Sequence, residues 1–187
     1  MNIQRIVVGE LQTNCYFLVD AGELAVIDPG GEAQKIISEI KKLNANVVII
    51  INTHGHFDHT LADNEIKKNT GAPIAIAEAD KRQSKGIEPD LFLRDGDKIK
   101  VGGIILEVIA TPGHTKGSIC LLSNGFLFSG DTIFDNAVGR TDLEGGSDDE
   151  MKKSLAKLDK LIPEGTIVYP GHGKEFKFKK GIANLWI

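Results

Sequence analysis

Three histidines and one aspartate lie within six consecutive positions, the segment 54–59 with the sequence HGHFDH. This cluster follows closely on five consecutive β-branched residues, Val47 to Ile51. Such a run predicts a buried strand, because it offers no polar face to water. Neutral imidazole and carboxylate groups are ligands of zinc, iron and manganese. The residue types therefore predict a metal site at the carboxyl end of a buried strand.

The spacing within the cluster predicts two ligand groups rather than one. In an extended chain His54 and His56 point to the same side, so both can bind one ion. The residues from Thr60 to Ile66 suit the start of a helix, which would direct Asp58 and His59 towards a second ion. Solvated loop histidines are the alternative, but that alternative explains one histidine better than three beside an aspartate.

The remaining two of the five histidines lie in similar loops. His114 lies in the sequence TPGHT and His172 in the sequence PGHG, each next to glycine after an apolar segment. Asp131, in the sequence SGDT, follows the apolar segment 125–128 in the same way. Every histidine of the chain is therefore a candidate ligand.

The sequences HGHFDH, TPGHT, SGDT and PGHG, in that order, resemble the metallo-β-lactamase fold superfamily. The segment 139–146, GRTDLEGG, resembles its short glyoxalase II-like branch of hydroxyacylglutathione hydrolases, and the resemblance spans nearly the whole chain. It implies two divalent metal ions per chain, with zinc as the first choice and iron or manganese as alternatives. The implied ligands are His54, His56 and His114 for one ion, Asp58, His59 and His172 for the other, and Asp131 as a bridge.

The resemblance also implies an activity, the hydrolysis of a thioester such as a 2-hydroxyacyl-glutathione by a hydroxide that bridges two ions. Asp58 is the predicted catalytic residue, which would orient the hydroxide and move its proton. Arg140 is predicted to bind a substrate carboxylate through a bidentate pair, with a surface salt bridge as the alternative. Asp28 is expected to brace the loop beneath the site rather than to bind metal.

Other activities fit similar ligands. Persulfide (sulfur) dioxygenases of the same fold share the histidine pattern but bind a single iron, which by position would use His56 or His54 with His114 and Asp131. Hydrolysis of another ester, a lactone or a phosphoester is a further alternative. A metal-binding module without turnover is disfavoured, because a closed structural zinc site needs four ligands rather than seven.

Composition sets the remaining expectations. The 187 residues are 41% hydrophobic and 26% charged, which predicts one globular domain over residues 1–187. We expect no C-terminal helical domain of the kind with which classical glyoxalase II binds glutathione. The net charge of −4 argues against a general nucleic-acid binder, and no apolar stretch reaches the ~18 residues of a membrane span. We therefore expect a cytoplasmic protein with a small-molecule substrate and neither nucleic acid nor membrane as a partner; the oligomeric state is left open.

The order of strands and helices predicts an α/β fold, an αββα sandwich of two mixed β-sheets with helices on the outer faces, which the resemblance also implies. Apolar residues at helical spacing predict a long helix over Asp148–Leu161. The sequence Asp95-Gly96-Asp97 predicts a hairpin before a strand from Val101 to Ile109. The polar segment Glu78–Asp90 predicts a mobile flap beside the site or, alternatively, a solvated surface segment.

Two further features have structural interpretations. Cys15 and Cys120 each lie in an apolar strand-like segment, so both are predicted to be core residues rather than nucleophiles. The lysine-rich stretch Lys174–Lys180 alternates lysine with phenylalanine, as an edge strand does.

Overall fold

Two six-stranded mixed β-sheets form the body of the protein in the computed structural model, which describes residues 1–84 and 86–186. The strands of the first sheet lie in chain order: β1 (Asn2–Val8), β2 (Thr13–Asp20), β3 (Glu23–Ile27), β4 (Asn46–Ile51), β5 (Ile74–Ala77) and β6 (Leu91–Leu93). Across the second sheet lie β14 (Phe176–Lys177), β13 (Ile167–Pro170), β10 (Phe126–Gly130), β9 (Ile119–Ser123), β8 (Ile104–Ala110) and β7 (Lys98–Val101). A separate two-stranded ribbon consists of β11 (Ile133–Phe134) and β12 (Ala137–Val138).

In the described part of the chain, four α-helical segments accompany the sheets: α1 (Ala33–Leu43), α2 (Phe57–Thr60), α3 (Asp63–Thr70) and α4 (Asp148–Leu161). Glu78–Asp80 and Ile182–Trp186 form 3-10 segments. The α4 bounds are those predicted, and the helix begins after Ser147, whose hydroxyl accepts a hydrogen bond from the Glu150 N–H. Within the described ranges no helix has the length and apolar character needed to cross a lipid bilayer.

The core has layers because successive side chains of a strand point to opposite faces. On β2, Tyr16 and Leu18 pack between the two sheets, whereas Cys15 and Phe17 pack in the cluster that includes α1 and α3. On β10, Leu127 packs against α4 on the outer face of the second sheet. Apolar burial on both faces of both sheets gives four layers, which confirms the predicted αββα sandwich.

The two cysteines are core residues, as predicted. Both side chains are fully buried and neither forms a disulfide. Burial raises the pKa of the Cys120 thiol to about 11 and that of Cys15 well above its usual value. Both thiols therefore stay protonated at neutral pH and are poor nucleophiles.

The predicted hairpin at Asp95–Asp97 is wrong. The strands on either side, β6 and β7, belong to different sheets, so this turn carries the chain from the first sheet to the second. The hairpin lies one strand later, between β7 and β8. The strand predicted over Val101–Ile109 is β8, which begins three residues later, at Ile104, because Val101 ends β7 and residues 102–103 form the turn. Gly102 has a φ of +60°, and a Cβ there would lie 2.4 Å from the backbone oxygen of Asp20. Glycine is the residue that tolerates both conditions.

The segment Glu78–Asp90 is partly anchored in the core. Asp80 is 0% exposed and Ser84 is 2% exposed, so the interpretation as solvated surface is wrong for these two residues. Lys85 lies outside the described residues. The mobility of the segment stays a prediction.

The carboxyl ends of β8, β10 and β13 lie on the same side of the second sheet. This follows because β8 and β10 are both antiparallel to β9, and β10 is parallel to β13. The loop after β4 reaches the same edge from the first sheet, where the Ile119 N–H donates to the Thr53 carbonyl oxygen at 2.8 Å. Four strand ends therefore deliver their loops to one edge of the sandwich. These loops carry the predicted ligands.

Candidate metal centre

The structure brings all seven predicted ligands together at this edge. They come from the loop after β4 and the adjoining turn of α2, and from the loops after β8, β10 and β13. The helix predicted from Thr60 begins earlier, as α2 at Phe57, which places Asp58 and His59 in its first turn. Ligand atoms within 4.8 Å of one another define two groups, the first His54, His56 and His114 and the second Asp58, His59 and His172. A further set, His54, His59 and Asp131, overlaps both groups.

In the first group the imidazoles of His56 and His114 meet closely. The distance from His56 Nδ1 to His114 Nε2 is 3.0 Å. The Nε2 atom of His54 is buried and has no hydrogen-bond partner among the described residues. A buried polar atom without a partner is costly, and a bound cation would satisfy it.

In the second group His172 lies close to both other members. Its Nε2 atom is 3.3 Å from Asp58 Oδ2 and 3.4 Å from His59 Nε2. The distance from His59 Nε2 to Asp58 Oδ2 is 3.6 Å. Two imidazole nitrogens and a carboxylate oxygen thus converge on one point.

Asp131 lies between the two groups. Its Oδ1 atom is 3.5 Å from His59 Nε2, and its Oδ2 atom is 3.6 Å from His114 Nε2 and 3.4 Å from His172 Nε2. Oδ1 is buried without a hydrogen-bond partner among the described residues. Gly171 makes room for this carboxylate, because a Cβ there would lie 2.1 Å from Asp131 Oδ1.

Three histidines are held from the side that faces away from the centre. His114 Nδ1 donates to the Arg140 carbonyl oxygen at 2.7 Å, and His54 Nδ1 lies 3.2 Å from the Thr53 hydroxyl. His59 Nδ1 lies 3.1 Å from Asp28 Oδ2, a contact that is misaligned for a linear hydrogen bond. Such contacts leave Nε2 of each ring directed at the centre, which is how metal-binding histidines are oriented.

Asp28 occupies the bracing position expected for it. Its carboxylate accepts hydrogen bonds from both the backbone N–H and the hydroxyl of Thr53, each at 2.7 Å. Because Thr53 directly precedes His54 and His59 is itself a predicted ligand, Asp28 supports the ligand loop from beneath.

The charges of the side chains favour a cation at this point. Burial, reinforced by the imidazoles of His59 and His114, lowers the pKa of His54 well below its usual value. Although burial opposes it, contact with Asp131 and Asp58 raises the pKa of His172 to about 10. The His54 imidazole is therefore neutral and has a free electron pair for a cation. The two carboxylates keep His172 protonated, and a divalent cation can displace that proton. The donor set fits zinc, iron and manganese, and the role of each residue as a ligand stays a prediction.

Arg140 lies next to the centre through its backbone rather than its side chain. The guanidinium is exposed and forms a bidentate pair with Asp142, with both N–O distances at 2.7 Å. This pair lowers the pKa of Asp142 to about 2. The structure thus shows the surface salt bridge that was the alternative for Arg140, and binding of a substrate carboxylate stays a prediction.

A cleft of about 570 Å³ opens beside His56. Arg82, Gln83, Gly86 and Ile87 line it, so the segment Glu78–Asp90 lies beside the site as predicted, whereas the apolar part of the lining was not predicted from the sequence. Its walls include the apolar side chains of Phe57, Leu61 and Leu143, which are exposed, and the cationic side chain of Arg82. Phe57 lies within the histidine motif, so an aromatic residue between two predicted ligands was the signal available in the sequence. Exposed apolar side chains gathered around one cleft are typical of a binding site.

The family model of the metallo-β-lactamase superfamily matches residues 8–172. The probable metallo-hydrolase YqgX of Bacillus subtilis is 34% identical over 193 residues, which cover 94% of this chain and 92% of the relative. The hydroxyacylglutathione hydrolase GloC of Haemophilus influenzae is 34% identical over 195 residues, which cover 92% of this chain and 91% of the relative.

Among solved structures, TTHA1623 in a di-iron-bound form is 28% identical and superposes with a TM-score of 0.85. The superposition covers 93% of this chain and 94% of that chain. The family match, the relatives and the fold agree with the arrangement of histidines and carboxylates at the sandwich edge. The chain therefore belongs to the metallo-β-lactamase superfamily.

Proposed function

We propose that the protein is a dinuclear metallohydrolase of thioesters, with 2-hydroxyacyl-glutathione thioesters as the substrate class. The observation that carries this proposal is the position of Asp131, whose two carboxylate oxygens face histidines of both ligand groups. A carboxylate between two such groups suits a pair of ions better than a single ion. The similarity to GloC supports a glutathione thioester as the substrate.

In this proposal His54, His56 and His114 would hold the first ion and Asp58, His59 and His172 the second, and Asp131 would contribute a carboxylate oxygen to each. The chemistry that two divalent ions supply at such a centre is the activation of water to hydroxide near neutral pH and the polarisation of a carbonyl. Zinc is the first choice for both positions, and iron or manganese are the alternatives.

Asp58 is the proposed catalytic carboxylate. The Thr13 hydroxyl donates a hydrogen bond to Asp58 Oδ2 at 3.1 Å, which fixes the orientation of the carboxylate. Although burial opposes ionisation, contact with His172 lowers the pKa of Asp58 well below its usual range. The ionised carboxylate accepts a hydrogen bond from the attacking water and orients it towards the carbonyl carbon. It then passes the proton of the water on to solvent, because a carboxylate of such low pKa does not retain it. Thiols have a pKa of about 8.5, so the thiolate leaves without a dedicated general acid.

The cleft beside His56 is the proposed site for the substrate's remaining groups. Phe57, Leu61 and Leu143 offer apolar contact, and Arg82 offers a positive charge for a carboxylate of glutathione. Arg140 contributes to carboxylate binding only if the substrate displaces Asp142 from its guanidinium.

The test is hydrolysis of a 2-hydroxyacyl-glutathione thioester under nitrogen, by protein of known metal content and with a chelator control. We expect rapid, chelator-sensitive loss of thioester without oxygen. Asp131→Ala should abolish turnover and lower the metal content, whereas Asp135→Ala, at an exposed position four residues away, should retain both. No turnover by wild-type protein that carries two ions would refute the proposed substrate.

The same experiment separates the hydrolase from a mononuclear iron persulfide dioxygenase. That alternative needs one histidine of the pair His54 and His56, together with His114 and Asp131, and the close approach of His56 to His114 accommodates it. It leaves the group of Asp58, His59 and His172 without a role, which favours the hydrolase. One iron per chain with persulfide-dependent oxygen uptake would favour the dioxygenase.

A further inference from the structure

Asp80 is a fully buried aspartate outside the predicted ligand set. It ends the 3-10 segment that follows β5. Its carboxylate accepts three short hydrogen bonds, from the Gly55 N–H at 2.8 Å, the Thr115 hydroxyl at 2.6 Å and the Gly117 N–H at 2.6 Å. No lysine, arginine or histidine in the described part of the chain forms an ion pair with it. Hydrogen bonds alone therefore stabilise the carboxylate in the core.

The three donors belong to two loops that carry the first ligand group. Gly55 lies between His54 and His56, and Thr115 directly follows His114. One carboxylate thus connects the two loops. Among the described residues, the Asp80 carboxylate forms no hydrogen bond with Asp58, His59 or His172, the members of the second group.

The packing around Asp80 leaves little freedom. A Cβ on Gly55 would lie 2.7 Å from the Asp80 backbone oxygen, and a Cβ on Gly117 would lie 2.6 Å from Asp80 Cγ. Both loops therefore lie directly against this residue, and a shift of Asp80 moves both.

We infer that Asp80 is a positioning residue that sets the distance between the loop of His54 and His56 and the loop of His114. It thereby sets the metal affinity of the first ligand group without affecting that of the second. The inference rests on the metal site of the proposed function but not on the substrate. A carboxylate is required because three donors converge on two oxygens. An asparagine would present an NH₂ group to at least one of them.

The experiment is a Zn²⁺ titration of the full chain against a competing chromophoric chelator, for the wild-type protein and for Asp80→Ala. We expect two equivalents in the wild type. In Asp80→Ala we expect the affinity for one equivalent of Zn²⁺ to fall roughly 10–100-fold and the affinity for the other to be unchanged. Such a loss is typical when hydrogen-bond partners of metal ligands are changed. Imidazole ¹⁵N shifts should show that His54, His56 and His114 respond only at correspondingly higher Zn²⁺ concentration, while His59 and His172 respond as in the wild type.

Asp159→Ala is the matched control. The Asp159 carboxylate also accepts three backbone hydrogen bonds, from Gly181, Ile182 and Ala183, but these anchor the C-terminal segment rather than a ligand loop. We expect this variant to lose thermal stability and to bind both equivalents normally. Thr115→Val removes a single hydroxyl and should weaken the same equivalent to a smaller extent, so it tests the inference even if Asp80→Ala does not fold.

Two results would overturn the inference: unchanged affinity for both equivalents in Asp80→Ala and Thr115→Val, or equal weakening of both equivalents. Failure of the proposed function gives a different result. Wild-type protein that binds two Zn²⁺ but hydrolyses no thioester refutes the substrate and leaves the role of Asp80 intact.

Discussion

Gly171→Ala tests whether the carboxylate of Asp131 has the fixed position that a bridging ligand requires. The added methyl group would lie 2.1 Å from Asp131 Oδ1 and 2.7 Å from His59 Cε1. Ordinary contact begins near 3.4 Å, so the carboxylate or the loop must move by more than 1 Å. The loop is held on both sides, because Gly171 N donates to the Gly130 carbonyl oxygen at 2.8 Å and the Gly171 carbonyl oxygen accepts from Asn14 N at 2.7 Å.

A displacement of this size at the centre should lower kcat/KM roughly 100-fold and the free energy of unfolding by about 1–3 kcal/mol. Zinc titration, thioester hydrolysis and denaturant unfolding measure these effects. Gly173→Ala is the control in the same loop. Gly173 has a φ of +78° with no atom within 4 Å of an added Cβ, so its substitution introduces backbone strain without filling the centre.

We expect Gly173→Ala to lose stability but to keep both metal equivalents and most activity. Gly171→Ala with wild-type zinc affinity and wild-type kcat/KM would refute the argument, because it would show that the Asp131 carboxylate can move without consequence.

Three further predictions concern stability and specificity. Burial raises the pKa of Asp63 well above its usual value, so from about pH 4 up to that raised pKa the folded state retains a proton that the unfolded state has lost. The free energy of unfolding should therefore fall by about 1.4 kcal/mol per pH unit in that window. Thermal melts at several pH values should show a weaker pH dependence of stability for Asp63→Asn than for the wild type. The same pH dependence in both proteins would contradict this reasoning. Leu61→Asp should raise KM for thioesters with apolar groups by roughly 10-fold or more at unchanged kcat. Leu161→Asp, at an exposed position outside the cleft, should leave KM unchanged. Equal KM values for the two variants would show that Leu61 does not contact the substrate. Gly102→Ala should lower the free energy of unfolding by ~2 kcal/mol or more, because it adds both backbone strain and a steric clash. Gly22→Ala should lower it less, because Gly22 has a φ of +81° but open space around it, so the substitution adds strain alone. Denaturant titration measures both losses, and equal losses would argue against the clash.

The sequence determined the features that depend on local pattern. The β-branched run before the histidine cluster identified β4 as a buried strand, and the spacing of apolar residues identified α4 with its correct bounds. The candidate ligands were also predicted from the sequence, because imidazoles and carboxylates beside glycine at strand ends have few structural uses; the structure places all seven together, and their role as ligands stays a prediction. These features need only the neighbouring residues, so a single sequence contains them.

Tertiary structure alone decided which loops meet. The turn at Asp95–Asp97 has the composition of a hairpin, but strand pairing on either side of it depends on which sheet each strand joins. Asp80 lies 25 residues from Gly55 and 35 from Thr115, and nothing in the polar segment around it indicated a buried carboxylate. Contacts between distant segments arise from the packing of whole sheets, and a local sequence pattern does not specify that packing.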